Sequence, residues 1–175
     1  MNDRRIVAAQ IGREPRSAID VAARCHFGLP VVIKVPPHLD DGTPFPTTYW
    51  LTCPLASKRV GRLEAAGGVK AAEDRIAADS VFADRHRAAA ERYRRDRDAM
   101  LGPEAPAYLP DGGVGGTRRG VKCLHAHYAD HAAGNDNPVG EDAAIDVEPL
   151  DCATVCVVQE DDLAFRNPNW REPRL

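Results

Sequence analysis

Apolar positions along the chain fall into short blocks punctuated by Gly, Pro and Asp, and the spacing inside each block sorts it as helix or strand. Asp3 to Ile11 reads as a short helix, stopped by Gly12 with Pro15 beyond it. Ala18 to Cys25 alternates loosely, and Leu29 to Val35 (LPVVIKV) is β-branched between Gly28 and Pro36-Pro37, so both are strand candidates. HLDDGTPFP is a loop that turns at Asp41-Gly42. Thr47 to Cys53 (TTYWLTC) makes a third strand, stopped by Pro54. Pro54 suits the first turn of a helix, where its missing N–H costs nothing. Leu55 to Ala66 then sets Leu55, Val60 and Leu63 on one side, ending at Gly67-Gly68, and Val69 to Ala78 forms a further helix.

Ser80 is an N-cap candidate for a long helix, Val81 to Leu101. Its apolar stripe is thin (Val81/Phe82, Ala88/Ala89, Tyr93, Met100/Leu101), and six arginines interleaved with four acids fill the other faces. That pattern describes an exposed helix leaning on the body by one narrow face. Gly102 to Gly120 holds six glycines and three prolines and is a loop. Val121 to Ala133 is a helix closed by Gly134, NDNPVG is a turn, and Thr154 to Val158 adds a late strand. Residues 159–175 have little to bury besides Phe165 and Trp170 and are expected to be partly disordered. The fold class is α+β: a small, mostly antiparallel sheet over 18–53, packed with helices, with the charged helix over 81–101, the Gly-rich loop and a Cys/His-bearing helix over 121–133.

At 175 residues the chain is long enough to bury a real core, and residues 1–140 are expected to form one domain. The net charge of −3 hides an asymmetry: residues 1–134 carry +4 and residues 135–175 carry −7, so 141–175 reads as an acidic extension. That balance argues against nucleic acid as a partner. The start, MNDRRIVAAQIG, has no apolar run of a secretory signal, and nothing approaches the ~18–20 apolar residues of a membrane span. A cytoplasmic location is therefore expected, where thiols stay reduced. With five cysteines, an odd number, free thiols, metal ligands or a nucleophile are the readings to compare.

The stretch GTRRGVKCLHAHYADHAAG concentrates three of the six histidines beside Cys123. On a helix Cys123, His127 and His131 stack along one face at i, i+4 and i+8, while His125 lies ~200° around from Cys123. Cys123 and His127 could thus share a metal ion. The plain alternative is a buried small Cys with histidines that line a surface. Cys25 and Cys53 both end strand candidates, where ligands from separate elements can converge. Cys25, Cys53, Cys123 and His127 would complete a Cys₃His tetrahedron for zinc, with an iron–sulfur cluster as the other soft-ligand choice. No C-x₂-C knuckle supports it; Cys25, Cys53 and the Cys123/His127 pair come from separate elements. Cys152 and Cys156, if on a strand, share a face but stand ~13 Å apart, too far to chelate or bridge, and are read as core.

A catalytic reading pairs Cys123, near a helix N-terminus where the dipole and Lys122 favour the thiolate, with His125 or His127 as base. Arg118, Arg119 and Lys122, with the amides of GGVGGTRRG, are the anion-binding candidates, although no P-loop pattern is present. Glycine there also suits a plain flexible connection.

The pieces RCHFGLPVVIKVPP, DGTPFPTTYWLTCP, GVGG and VKCLHAHYADHAAGNDNPVG resemble, in the same order over about residues 5–140, a bacterial family known as domain of unknown function 501. The family's motif cysteines and histidines fall on Cys25, Cys53, Cys123, His125 and His127, with His26 and His131 outside its pattern. The resemblance implies no settled activity. Its genes' neighbours, for a septum-formation initiator, enolase and an exopolyphosphatase, imply a housekeeping or division-linked setting. Two functions are therefore carried forward. One is a zinc-stabilised binding or interaction module with a protein partner or a small phosphate-containing ligand. The other is a hydrolase of phosphate-containing substrates, using Cys123 or a Cys/His-bound zinc.

Overall fold

The computed structural model describes residues 2–102 and 110–173. Its α+β architecture is the expected one: helices pack around a three-stranded antiparallel sheet, and a two-stranded hairpin forms a second, separate sheet. The first helix, α1 (Asp3–Ile11), starts at Asn2, whose side chain accepts from Arg5 N, and stops at Gly12 at φ 76°. Strands β1 (Asp20–Arg24), β2 (Pro30–Lys34) and β3 (Tyr49–Leu51) follow, with β2 in the centre. The β-branched run of β2 is buried on both faces. Val31 and Val32 join the main core, while Ile33 packs in a separate cluster with Val7 of α1.

Helix α2 (Pro54–Ala65) has Pro54 in its first turn and buries Leu55, Ala56, Arg59 and Val60. It is followed by α3 (Gly68–Ala78) and α4 (Ser80–Asp98). The N-cap of α4 is Asp79, not Ser80: its carboxylate accepts from Val81 N and Phe82 N. The interior face of α4 also differs from the expected thin stripe, because it includes arginines. Phe82, Ala89, Tyr93 and Arg97 are buried. Arg97 sits inside at 1% exposure, with Nη1 donating to Gly112 O at 2.8 Å. Arg92 reaches Asp130, fully buried on the next helix, at 2.5 Å. The charges on this helix are partly structural ties.

The Cys/His-bearing helix α5 (Leu124–Ala132) begins three residues later than expected. Cys123 is its N-cap, extended at φ −159°, ψ 148°, so helical i, i+4 arithmetic does not join it to His127. The supposed turn NDNPVG opens a helix, α6 (Pro138–Val147): Asn137 caps it by accepting from Gly140 N, and Pro138 sits at its start. The expected domain edge at 140/141 falls inside α6, which packs on α5 and buries Val139, Ala143 and Val147. Beyond it, β4 (Val157–Glu160) and β5 (Leu163–Arg166) pair antiparallel and pack against α1. Arg166 ties them there through Ala9 O and Gln10 O. The acidic segment is thus folded onto the body through residue 173. Among the described residues no helix is long and apolar enough to cross a membrane.

Candidate functional site

A pocket of about 260 Å³ opens between β3 and the start of α5. Tyr49 and Leu51 give it an apolar wall, and Thr47, Ser57, Lys122, Cys123 and His125 give it polar groups, while the Trp50 ring packs on Phe45 at the other face of the sheet. The β3 wall is set by Tyr93 of α4, whose buried hydroxyl accepts from Thr48 N at 2.7 Å and Tyr49 N at 3.2 Å. Burial pushes that phenol up to about 12, against the lowering effect of the two amides.

The α5 N-terminus is closed by Glu64 of α2. Its Oε1 accepts from Leu124 N at 2.6 Å, His125 N at 3.3 Å and the His125 ring Nδ1 at 3.1 Å. The other ring nitrogen, Nε2, donates to Ser57 O at 3.2 Å. The His125 ring is thus held at both nitrogens, by Glu64 on one side and Ser57 O on the other. With both ring nitrogens engaged in this way, His125 is not set up as the base for Cys123. The helix-end amides are likewise spent on Glu64 rather than offered to a ligand.

Of the three anion-binding candidates, only Lys122 lines the pocket. Its Nζ donates to Gly115 O at 3.3 Å, and it has no carboxylate partner among the described residues. Arg118 is paired with Asp111 at 2.9 Å, and the exposed Arg119 lies outside the lining. The Gly-rich loop holds itself together: Gly113 N donates to Thr117 O and Gly116 N to Gly113 O. Its glycines serve close packing. A Cβ on Gly116, at φ 81°, would lie 2.6 Å from Pro46, and one on Gly112, at φ 82°, 2.6 Å from two carbonyl oxygens. Residues 103–109 of the expected loop lie outside the described residues.

The expected Cys25/Cys53/Cys123/His127 tetrahedron is not assembled. Among the described residues no group of three or more His, Cys, Asp or Glu is set to hold a metal ion. Cys123 faces the pocket above, whereas Cys25 and Cys53 line a separate enclosed cavity. Burial pushes the Cys53 thiol up to about 12. His127 is elsewhere again, 1% exposed and stacked on His86 with ring centroids 5.6 Å apart. Its Nδ1 donates to Asn137 Oδ1 at 3.0 Å, and Asn137 Nδ2 in turn donates to Asp130. Burial drives His127 down to about 4, so the ring is neutral at pH 7.

Cys152 and Cys156 pack against the apolar clusters, as expected of core residues. The segment between them is irregular rather than a strand, since β4 begins at Val157. Both side chains turn into the same cavity as Cys25 and Cys53. Glu64 and Ser57 were the site residues that sequence reasoning missed, because neither stands in a marked stretch.

These features define a small α+β protein with a ligand-sized pocket where a strand meets a capped helix end. The chain belongs to the family described as protein of unknown function (DUF501), whose family model matches residues 21–144. No curated protein and no solved structure matches the chain.

Proposed function

We propose that this chain is a cytoplasmic binding module whose β3–α5 pocket takes a small phosphate-bearing ligand with a flat apolar body. One observation carries this reading: two stretches about 70 residues apart, Thr47–Leu51 and Lys122–Ala126, meet to line one cavity. Both fall within the family's matched region. Lys122 supplies a cation without a carboxylate partner at its rim, and Tyr49 and Leu51 supply an apolar wall. A mostly apolar pocket with a few convergent polar groups is the ordinary form of a small-molecule site. The His125–Glu64 pair stiffens one side without offering a base. A Cys123 nucleophile acting on the same ligand would need a proton acceptor other than His125.

Phenyl phosphate, inorganic phosphate and benzoate test the reading by calorimetric titration of the full chain. Phenyl phosphate should bind saturably, and Lys122→Gln should weaken it by roughly 10- to 100-fold, the worth of a charge-assisted hydrogen bond of about 1.5–3 kcal/mol. Lys122 is exposed, so the variant folds normally. Equal binding by Lys122→Gln and wild type, or no binding of any of the three at millimolar concentration, refutes the assignment.

A further inference from the structure

Four of the five cysteines, Cys25, Cys53, Cys152 and Cys156, line one enclosed cavity of about 10 Å³, room for a single atom-sized guest. They come from three remote places in the chain. Cys25 starts the tight turn before β2, Cys53 is the N-cap of α2, and Cys152 and Cys156 flank the irregular segment before β4. We propose that this chamber is a zinc site with a four-thiolate ligand set, independent of the β3–α5 pocket.

Cysteines that serve only as small apolar fillers need no polar attention to their sulfurs. Two of these receive it. Trp170 Nε1 points at Cys152 Sγ at 3.4 Å, and Gln10 Nε2 at Cys156 Sγ at 3.8 Å. Side-chain N–H groups aimed at sulfur are the outer contacts that hold and orient bound thiolates. The rest of the lining includes Phe27, Leu29, Leu55 and Leu150, with no carboxylate and no imidazole. A lining with four thiols and no carboxylate disfavours hard, oxygen-seeking ions and suits a soft or borderline one, for which four thiolates in a tetrahedron are a usual zinc set.

The sulfurs are not yet set to hold an ion, so uptake requires them to draw inward. The fold permits that: Cys53 is fixed on a helix end, while Cys25, Cys152 and Cys156 sit in turns or irregular chain. Each Zn–S bond forms as one S–H bond breaks. The balance is one Zn²⁺ and four thiols giving a tetrathiolate of charge −2 and four protons released to solvent. No oxidant or reductant takes part.

The test uses the full chain without a histidine tag, reduced and stripped of metal, then titrated with Zn²⁺ against a chromophoric chelator and separately with Co²⁺. One ion per chain is expected, with the visible absorption bands of tetrahedral cobalt bound to sulfur. Cys156→Ser should weaken zinc on the order of a hundredfold or more and change the cobalt spectrum. Trp170→Phe, which keeps all four sulfurs, should weaken it roughly 10- to 100-fold, as loss of an outer contact does. Cys123→Ser should leave both readouts unchanged. The proposal is overturned if the reduced wild-type chain takes up no ion, if its cobalt spectrum lacks sulfur ligation, or if Cys123→Ser abolishes binding while Cys156→Ser does not. Because wild-type uptake and the cobalt spectrum need no variant, a misfolded Cys156→Ser leaves the test decisive.

Discussion

Replacing Tyr93 by Phe isolates the contact that holds the β3 side of the pocket. The ring is fully buried and makes an edge contact with Tyr49 at 5.7 Å between centroids, which Phe preserves. What disappears is one oxygen that accepts from two backbone amides, Thr48 N and Tyr49 N. Leaving a buried donor unsatisfied costs about 1–3 kcal/mol, so two give roughly 2–6 kcal/mol, with the low end applying if a water enters the gap. A second consequence is a change in pH dependence. The folded Tyr93 titrates at about 12, above the 10.0 of an unhindered phenol, mainly because burial disfavours tyrosinate. From pH 10 the unfolded chain loses this proton while the folded chain keeps it, so stability is full below pH 10 and falls as pH rises toward 12. Two pH units correspond to about 2.7 kcal/mol. Urea unfolding at pH 7 and across pH 9–12 reads both effects. Tyr93→Phe should lower stability at pH 7 by about 2–6 kcal/mol yet show a flatter alkaline decline than wild type. A variant within ~0.5 kcal/mol of wild type at pH 7, with an unchanged alkaline slope, would refute both the hydrogen-bond assignment and the burial argument.

His127 gives the matching prediction on the acid side. Its folded value of about 4 lies below the ordinary 6.5, so its contribution is complete above pH 6.5 and is lost as pH falls toward 4, by ~3 kcal/mol in all. His127→Gln should flatten the acid limb of a stability profile measured by urea unfolding; an unchanged limb would mean the ring is not the buried neutral group described. Two glycine replacements should diverge in thermal melting. Gly61→Ala, in the interior of α2 with nothing within 4 Å of the new methyl, should stabilise by ~0.5–1 kcal/mol. Gly140→Ala would place Cβ 2.2 Å from His127 O, so α6 must move off α5, and a loss of about 3 kcal/mol or more is expected. Equal melting temperatures for the two would contradict the α5–α6 packing.

Much of the fold was legible because its signals are local. The LPVVIKV run between Gly28 and Pro36-Pro37 could bury both faces only as a central strand, and Pro54 marked the start of α2. Helix α6 was legible too and was misread: Asn137-Pro138 is a cap followed by proline in the first turn, but the glycine and acids around it suggested a turn. The acidic tail shows why charge is a poor guide to order. Its anchoring needs few residues, with Val147 and Val157 buried among many acids. Arg59, 3% exposed, binds it from below through Val147 O and Pro149 O at 2.7 and 2.6 Å. The site was legible only in part. Lys122, Cys123 and His125 stood in a chemically marked stretch, but Glu64 and Ser57, which fix what His125 can do, carry no local signature. A single displaced helix start, at Leu124 instead of Val121, moved Cys123 off the face it was expected to share with His127.

The same displacement explains why the thiols sort as they do. A cysteine at an N-cap has a non-helical backbone, so its side chain does not share the face set by the helical repeat. Cys123 and Cys53 are both N-caps, of α5 and α2, and each is thrown toward whatever lies beside its helix end. For Cys123 that neighbour is β3 and Lys122, hence an open pocket. For Cys53 it is the turn at Cys25 and the covering segment 150–156, hence a closed chamber. The family match ends at residue 144, within α6 and before that covering segment. The open pocket is therefore built wholly from the matched region, whereas two of the four chamber thiols are supplied by chain beyond it.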